Sequence, residues 1–326
     1  MDRRDFIVQG ALAALGAAFA GTLLGCGREN RGTVTSAGPA GKIGANRWDP
    51  SLAGDVTLAL AQNGAPGELT RTAVNRYGGI TTWVKPGDRV VIKPNLAYAA
   101  QPPQAADVHP EVLAAILALC KEAQAKEIIV VEHPLASAQD AFRQSGAEEV
   151  CQSAGVRLVA LASQAQYQQT EFPAGVVIQD DQIARELLEC DAYINLAIAK
   201  VHSASKVTLG MKNQMGAIFN RGRYHATGGG SGGVDNLSGN IADLALALRP
   251  TLTVIDATRA LMTNGPGGPG RVEQPHAVVV SADPVAADAY ACRFLKVDPA
   301  SVPHIRLAAE RGLGKMDEAG WKVAAA

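Results

Sequence analysis

Residues 89–131 read RVVIKPNLAYAAQPPQAADVHPEVLAAILALCKEAQAKEIIVV. Two short, nearly all-apolar runs, 89–93 (RVVIK) and 127–131 (EIIVV), flank a stretch of helical period at 110–123. Val112, Ile116 and Leu119 share one face of that helix. A short run apolar on both sides of its pleat has no solvent face, so each run is expected to be a strand covered from above and below. Strand, helix, strand in this order predicts a parallel βαβ unit.

The alternation extends outward in both directions. Strand-like runs recur at 55–61, 156–161, 192–196 (AYINL), 252–256 (LTVID) and 277–281 (AVVVS). Helical patterns recur at 68–77, 138–154 with a break at Gly146, 180–188, 203–218 with a break at Gly210, 241–248, 283–294 and 302–311. Asp283 and Pro284 supply an N-cap and a first helical residue. Residues 163–175 are polar and Gln-rich and read as a surface excursion; 221–239 are very Gly-rich. The expected fold is α/β, a mainly parallel sheet with helices on both faces, spanning 51–326 as one large domain or two closely packed lobes.

Composition agrees. Of 326 residues, 47% are hydrophobic and 19% charged, which provides a sizeable core and argues against disorder. A net charge of -1 provides no field to gather a nucleic-acid backbone, so no nucleic-acid partner is expected.

The chain opens MDRRDFI, and an Ala-rich apolar run follows over residues 8–24. Arg3 and Arg4, followed by Asp5, Phe6 and Ile7, resemble the twin-arginine export motif. That resemblance implies passage through the twin-arginine translocase in a folded state. Leu23-Leu24-Gly25-Cys26 resembles a lipobox, with cleavage before Cys26 and lipid on its thiol. An uncleaved spanning helix is the competing reading, but the run is short and glycine-containing against a hydrocarbon layer of ~30 Å. Residues 1–25 are thus expected to be a signal peptide and 26–50 a flexible tether. The folded body would sit lipid-anchored on the periplasmic or cell-surface face of a bacterial membrane. Cys120, Cys151, Cys190 and Cys292 form no C-x-x-C, so no iron–sulfur motif or zinc ribbon is present. Cys120 and Cys292 fall in apolar helical patterns, where buried free thiols are expected.

In parallel α/β sheets ligands gather at the carboxyl ends of the strands. There the chain places Lys93-Pro94-Asn95, then Lys200-Val201-His202, Lys206 and Lys212-Asn213, then Asp256, and finally Asp283 with Asp288. Ammonium groups and amides facing one cleft would hold a phosphate or carboxylate. A lysine crowded by cations has a lowered pKa and can act as base or nucleophile, with a histidine sharing acid–base work. Lys200, His202 and Lys212 are the expected catalytic groups. Lys93, Asn95, Lys206 and Asn213 are expected ligand contacts, with Asp256 and Asp283 orienting them or holding a metal. Simpler readings compete: a single loop lysine is ordinarily solvated, Asp283 is a helix cap, and Asp288 is an ordinary surface carboxylate. The loop at 267–270 lacks the phosphate-loop order. His225, His109 and the pair Glu132-His133 are weaker candidates.

Those blocks, together with Asn195-Leu196, Gly210-Met211-Lys212-Asn213-Gln214-Met215-Gly216, Asp256-Ala257 and Ala282-Asp283-Pro284-Val285-Ala286-Ala287-Asp288, resemble domain-of-unknown-function family 362 from about residue 55 to 314. The resemblance implies the fold and the candidate site but no reaction. Many relatives carry an appended ferredoxin-like cluster domain; this chain lacks its cysteine run. The functional expectation is an exported, membrane-anchored α/β protein with an anion-binding cleft for a small carboxylated or phosphorylated molecule, with enzyme activity on that molecule left open. The alternatives are a non-catalytic solute-binding or redox-complex accessory lipoprotein, or a metal-containing protein matured before export.

Overall fold

The computed structural model describes residues 41–226 and 236–325. Arg3, Arg4, Cys26, the signal peptide and most of the tether lie outside the described residues. The tether was expected to run through residue 50, yet residues 42–48 lie against the domain. Ile43 is buried and its N–H donates to Ala247 O at 2.8 Å. The Arg249 guanidinium stacks 4.6 Å from the Trp48 ring centroid, and Trp48 Nε1 donates to Ala282 O. Two large apolar residues in a polar stretch are enough to dock it.

Among the described residues twelve strands form: β1 (Leu58–Gln62), β2 (Arg89–Pro94), β3 (Glu127–Glu132), β4 (Arg157–Ala160), β5 (Tyr167–Glu171), β6 (Asp180–Ala184), β7 (Ala192–His202), β8 (Lys206–Thr208), β9 (Leu252–Leu261), β10 (Val272–Glu273), β11 (Ala277–Ser281) and β12 (Val323–Ala324). The main sheet runs β12-β1-β11-β9-β7-β2-β3-β4, with β8 on β7 and β10 on β9. Strands β4, β3, β2, β7 and β9 are mutually parallel; β11 runs antiparallel to both its neighbours. The expected mainly parallel α/β sheet is what the chain forms.

Alternate residues along each strand feed opposite layers, as the pleat requires. Val91, Ile129, Val131, Tyr193 and Ile255 join one core with the helices Asn236–Ala247, Pro284–Ala291 and Pro303–Glu310. Val90, Ile92, Val130, Ile194 and Val254 join the other with Pro66–Arg76 and Pro110–Glu122. The latter helix buries Val112, Leu113, Ile116, Leu117 and Leu119; truncating one of the leucines to alanine would cost ~2–5 kcal/mol. Cys120, Cys151, Cys190 and Cys292 are buried free thiols.

Two expectations differ from the structure. Residues 180–188, expected to be one helix, split into β6 and the short helix Arg185–Glu189, and β6 pairs with β5 from the supposed surface excursion. Along β6, Asp181 and Ile183 are buried at a strand's period of two, and β5 buries Tyr167 and Thr170. Residues 203–218, expected to be a helix, form β8, the turn-length helix Gly210–Asn213 and a 3-10 turn, Gln214–Ala217.

The strand order fixes where a cleft can open. From β2 the chain winds outward through β3 and β4, then returns to β7 on the other side of β2. Connections leave β2 and β7 in opposite directions, so a crevice opens beyond their carboxyl ends.

Candidate functional site

Lys93 ends β2 opposite Asn195 of β7, and Lys200 and His202 lie at the end of β7. The Gly210–Asn213 helix folds back over these ends. Asp288 secures it by accepting from Gly210 N–H (2.7 Å) and Met211 N–H (2.9 Å). A Cβ at residue 210 would lie 2.8 Å from both Asp288 Oδ1 and Thr253 Cγ2, so glycine is required by space there. Asp288 is therefore not the ordinary surface carboxylate of the simpler reading. It is buried and, by desolvation, has its pKa pushed up to about 7. Lys212 and Asn213 are delivered to the cleft by this turn.

A buried hydrogen-bonded floor results. Lys93 Nζ donates to Pro94 O (2.8 Å), Glu132 Oε2 (2.8 Å) and Asn213 Oδ1 (2.9 Å). Asn95 Nδ2 donates to the same Asn213 oxygen, and Asn95 Oδ1 accepts from Lys200 Nζ at 2.8 Å. Lys200 also donates to Ala106 O and sits 4.9 Å from the Tyr98 ring centroid. Asn213 Nδ2 donates to Asn195 Oδ1 (2.8 Å), tying both strands together. Gly216 leaves room for this floor: a Cβ there would collide with the Glu132 carboxylate and the Lys93 chain.

The cleft above encloses about 300 Å³. Lys93, Asn95, Lys200, His202, Lys212 and Asn213 all line it, as does Glu132, which the sequence offered only weakly. Their availability differs. All three Lys93 protons are used, so Lys93 supports the floor and has none left for a ligand. Burial pushes its pKa down, and Glu132 opposes the shift. Burial likewise pushes Lys200 down and Asp107 up, each opposed by the other's charge.

Lys212 and Arg221 stand apart. Lys212 Nζ has no hydrogen-bond or ion-pair acceptor among the described residues. Desolvation, then the charges of Lys200, Arg221 and Lys93, lower its pKa to about 7. Arg221 donates only to the carbonyls of His133 (2.7 Å) and Pro134 (3.1 Å) and has no carboxylate partner among the described residues. The His202 Nδ1 accepts from Ala204 N–H (3.0 Å) and Ser205 N–H (3.3 Å), which places its proton on Nε2. Burial first, then Lys212 and Lys200, lower its pKa to about 3. His202 is thus neutral at pH 7 and presents its Nε2–H as a donor. His225 stacks on it at 6.5 Å.

Three expected residues are not brought in. Lys206 opens β8 opposite His202, is exposed and is absent from the cleft lining. Asp256 is buried and accepts from His109 N–H, Thr258 and Arg259, bracing the loop after β2. Asp283 caps the Pro284–Ala291 helix through Val285 and Ala286 N–H (2.9 Å each) and accepts from Lys315 N–H. Neither aspartate orients the cleft lysines or reaches a metal position. Among the described residues, no group of three or more His, Cys, Asp or Glu could hold a metal ion. Sequence reasoning missed Tyr98, Asp107 and Arg221. Tyr98 and Asp107 follow β2 closely enough to have been searched with Lys93, whereas Arg221 lies in a Gly-rich run with no signal of its own.

Fold and cleft define a doubly wound α/β protein with a cation-lined crevice at its switch point. The chain belongs to the family described as Domain of unknown function (DUF362), whose model matches residues 90–293. It is 30% identical over 272 residues to a thylakoid-associated protein of Synechocystis sp., covering 79% of each chain. Among solved structures it is similar to the lactate racemase apoprotein of Thermoanaerobacterium thermosaccharolyticum, with a TM-score of 0.47 and 11% identity. That match covers 78% of this chain, which spans 61% of the racemase's length.

Proposed function

We propose that the cleft binds a small carboxylated or phosphorylated molecule and that Lys212 transfers a proton on it. One observation carries this reading. Of the four cations lining the crevice, Lys93 is paired with Glu132, Lys200 lies in the field of Asp107 and Arg221 in that of Glu132, but Lys212 has no acceptor among the described residues and feels only the like charges of Lys200, Arg221 and Lys93. An uncompensated ammonium in a partly desolvated crevice, beside a guanidinium bonded only to carbonyls, is stabilised by an anion. Arg221 and the Nε2–H of His202 hold the anion in place. Lys212, with a pKa of about 7, has both its forms populated near neutral pH. Its neutral amine accepts a proton from the ligand and its ammonium form returns one. The test is calorimetric titration of the full chain with acetate and inorganic phosphate at pH 6.5. Binding that weakens at least tenfold in Lys212→Ala and Arg221→Gln is expected; equal binding by both variants refutes the reading.

We further propose that the body is exported by the twin-arginine route and anchored by lipid on Cys26. The motif order at 3–7 and 23–26 supports this, and a relative known as thylakoid-associated agrees with a membrane location. Cell fractionation of Cys26→Ser tests it: release from the membrane is expected, and retention overturns the anchor.

A further inference from the structure

Much of the cleft wall is uncharged: Ala97, Tyr98, Leu135, Met215 and Pro266. Leu135 is 60% exposed. The other exposed large hydrophobics among the described residues, Leu52, Val176 and Val177, do not line the cleft. Leu135 N–H donates to Ala97 O at 2.8 Å, so Ala97, Tyr98 and Leu135 are contiguous. The Arg221 guanidinium is fixed on the carbonyls of His133 and Pro134, directly before Leu135, and so stands at the edge of that apolar strip. The Tyr98 ring is held against the loop after β9, where a Cβ on Gly267 would lie 2.8 Å from its Cε1. An inorganic ion would leave this wall in water, and a sugar phosphate would set hydroxyl groups against it without acceptors. A volume of about 300 Å³ is at the low end for ligand pockets, too small for a long acyl chain or a dinucleotide.

We infer that the cleft takes a compact amphipathic organic acid. Its anionic head sits at Lys212, Arg221 and His202, and its apolar or aromatic body lies on Tyr98 and Leu135. This rests on the anion-binding reading above and narrows it. The full chain is titrated by calorimetry at pH 6.5 with acetate, butyrate, phenylacetate and inorganic phosphate. Affinity should rise at least tenfold from acetate to phenylacetate, with butyrate between, and Leu135→Ser should remove most of that gain. Acetate or phosphate binding as tightly as phenylacetate overturns the amphipathic assignment while leaving an anion site standing. A gain that survives Leu135→Ser overturns it as well. If none of the four binds, the inference and the anion reading fall together.

Discussion

Replacing Glu132 by glutamine removes the carboxylate paired with Lys93 in the floor of the cleft and keeps its shape. Glu132 and Lys93 are 1% exposed each. The carboxylate accepts from Lys93 Nζ (2.8 Å), Leu96 N–H (3.0 Å) and His133 N–H (2.8 Å). Removing one partner of a buried pair costs ~3–5 kcal/mol, because the remaining charge stays desolvated and uncompensated. Lys93 would keep Pro94 O, Asn213 Oδ1 and the glutamine oxygen as acceptors, which places Glu132→Gln near the lower limit, ~3 kcal/mol. For a domain of this size that corresponds to a fall in Tm of roughly 6–12 °C, at about 2–4 °C per kcal/mol. Urea unfolding followed by circular dichroism, with calorimetry for Tm, measures it. Lys93→Met should cost a similar amount. The Lys93→Met, Glu132→Leu double variant should cost less than the sum, since both charges leave together. Losses below about 1 kcal/mol for each single variant, or strict additivity in the double, would refute an ion pair as the support of the floor.

Other outcomes follow from the same geometry. Lys212 has a folded pKa of about 7 against an ordinary 10.5, so between those values the unfolded chain binds the extra proton and stability rises with pH. Lys212→Met should therefore raise Tm at pH 6 and leave it little changed at pH 10.5, as calorimetry at the two pH values would read. His202 stays neutral in the fold down to about pH 3, whereas an ordinary histidine protonates at 6.5, so stability should fall as pH drops through that window. His202→Gln should flatten part of this decline in acid titrations followed by circular dichroism. Asp283→Ala removes a cap from three backbone N–H groups and should cost ~2 kcal/mol in urea unfolding with no loss of acetate binding. A tenfold loss of affinity there would return Asp283 to the site.

Much was legible in the chain because it is a local property. Nearly continuous apolar runs at 89–93, 127–131 and 192–196 admit no solvent face and require a two-sided sheet. Pro110 and Pro284 at helix starts mark element boundaries. Polar residues directly after those strands, Lys93-Pro94-Asn95 and Lys200-Val201-His202, were found because side chains at a strand's carboxyl end have only one region to face. What was not legible depends on contacts distant in sequence. Asp283 and Asp288 belong to one motif and look alike, yet one caps its own helix while the other reaches back 78 residues to hold Gly210. The β5–β6 hairpin was missed because its alternation is broken by polar residues whose burial arises only in the fold.

The sequence by itself determined the α/β layering, the strand ends that matter and the family, because hydrophobic period and residue type are written along the chain. Only the tertiary structure decided which cations are available. Lys93, Lys200 and Lys212 are equivalent as letters. Folding saturates the first with three acceptors, sets the second against Asp107 and Tyr98, and leaves the third without an acceptor among the described residues. Charge compensation is a sum over neighbours in space, and those neighbours are assembled only when β7 returns to lie beside β2.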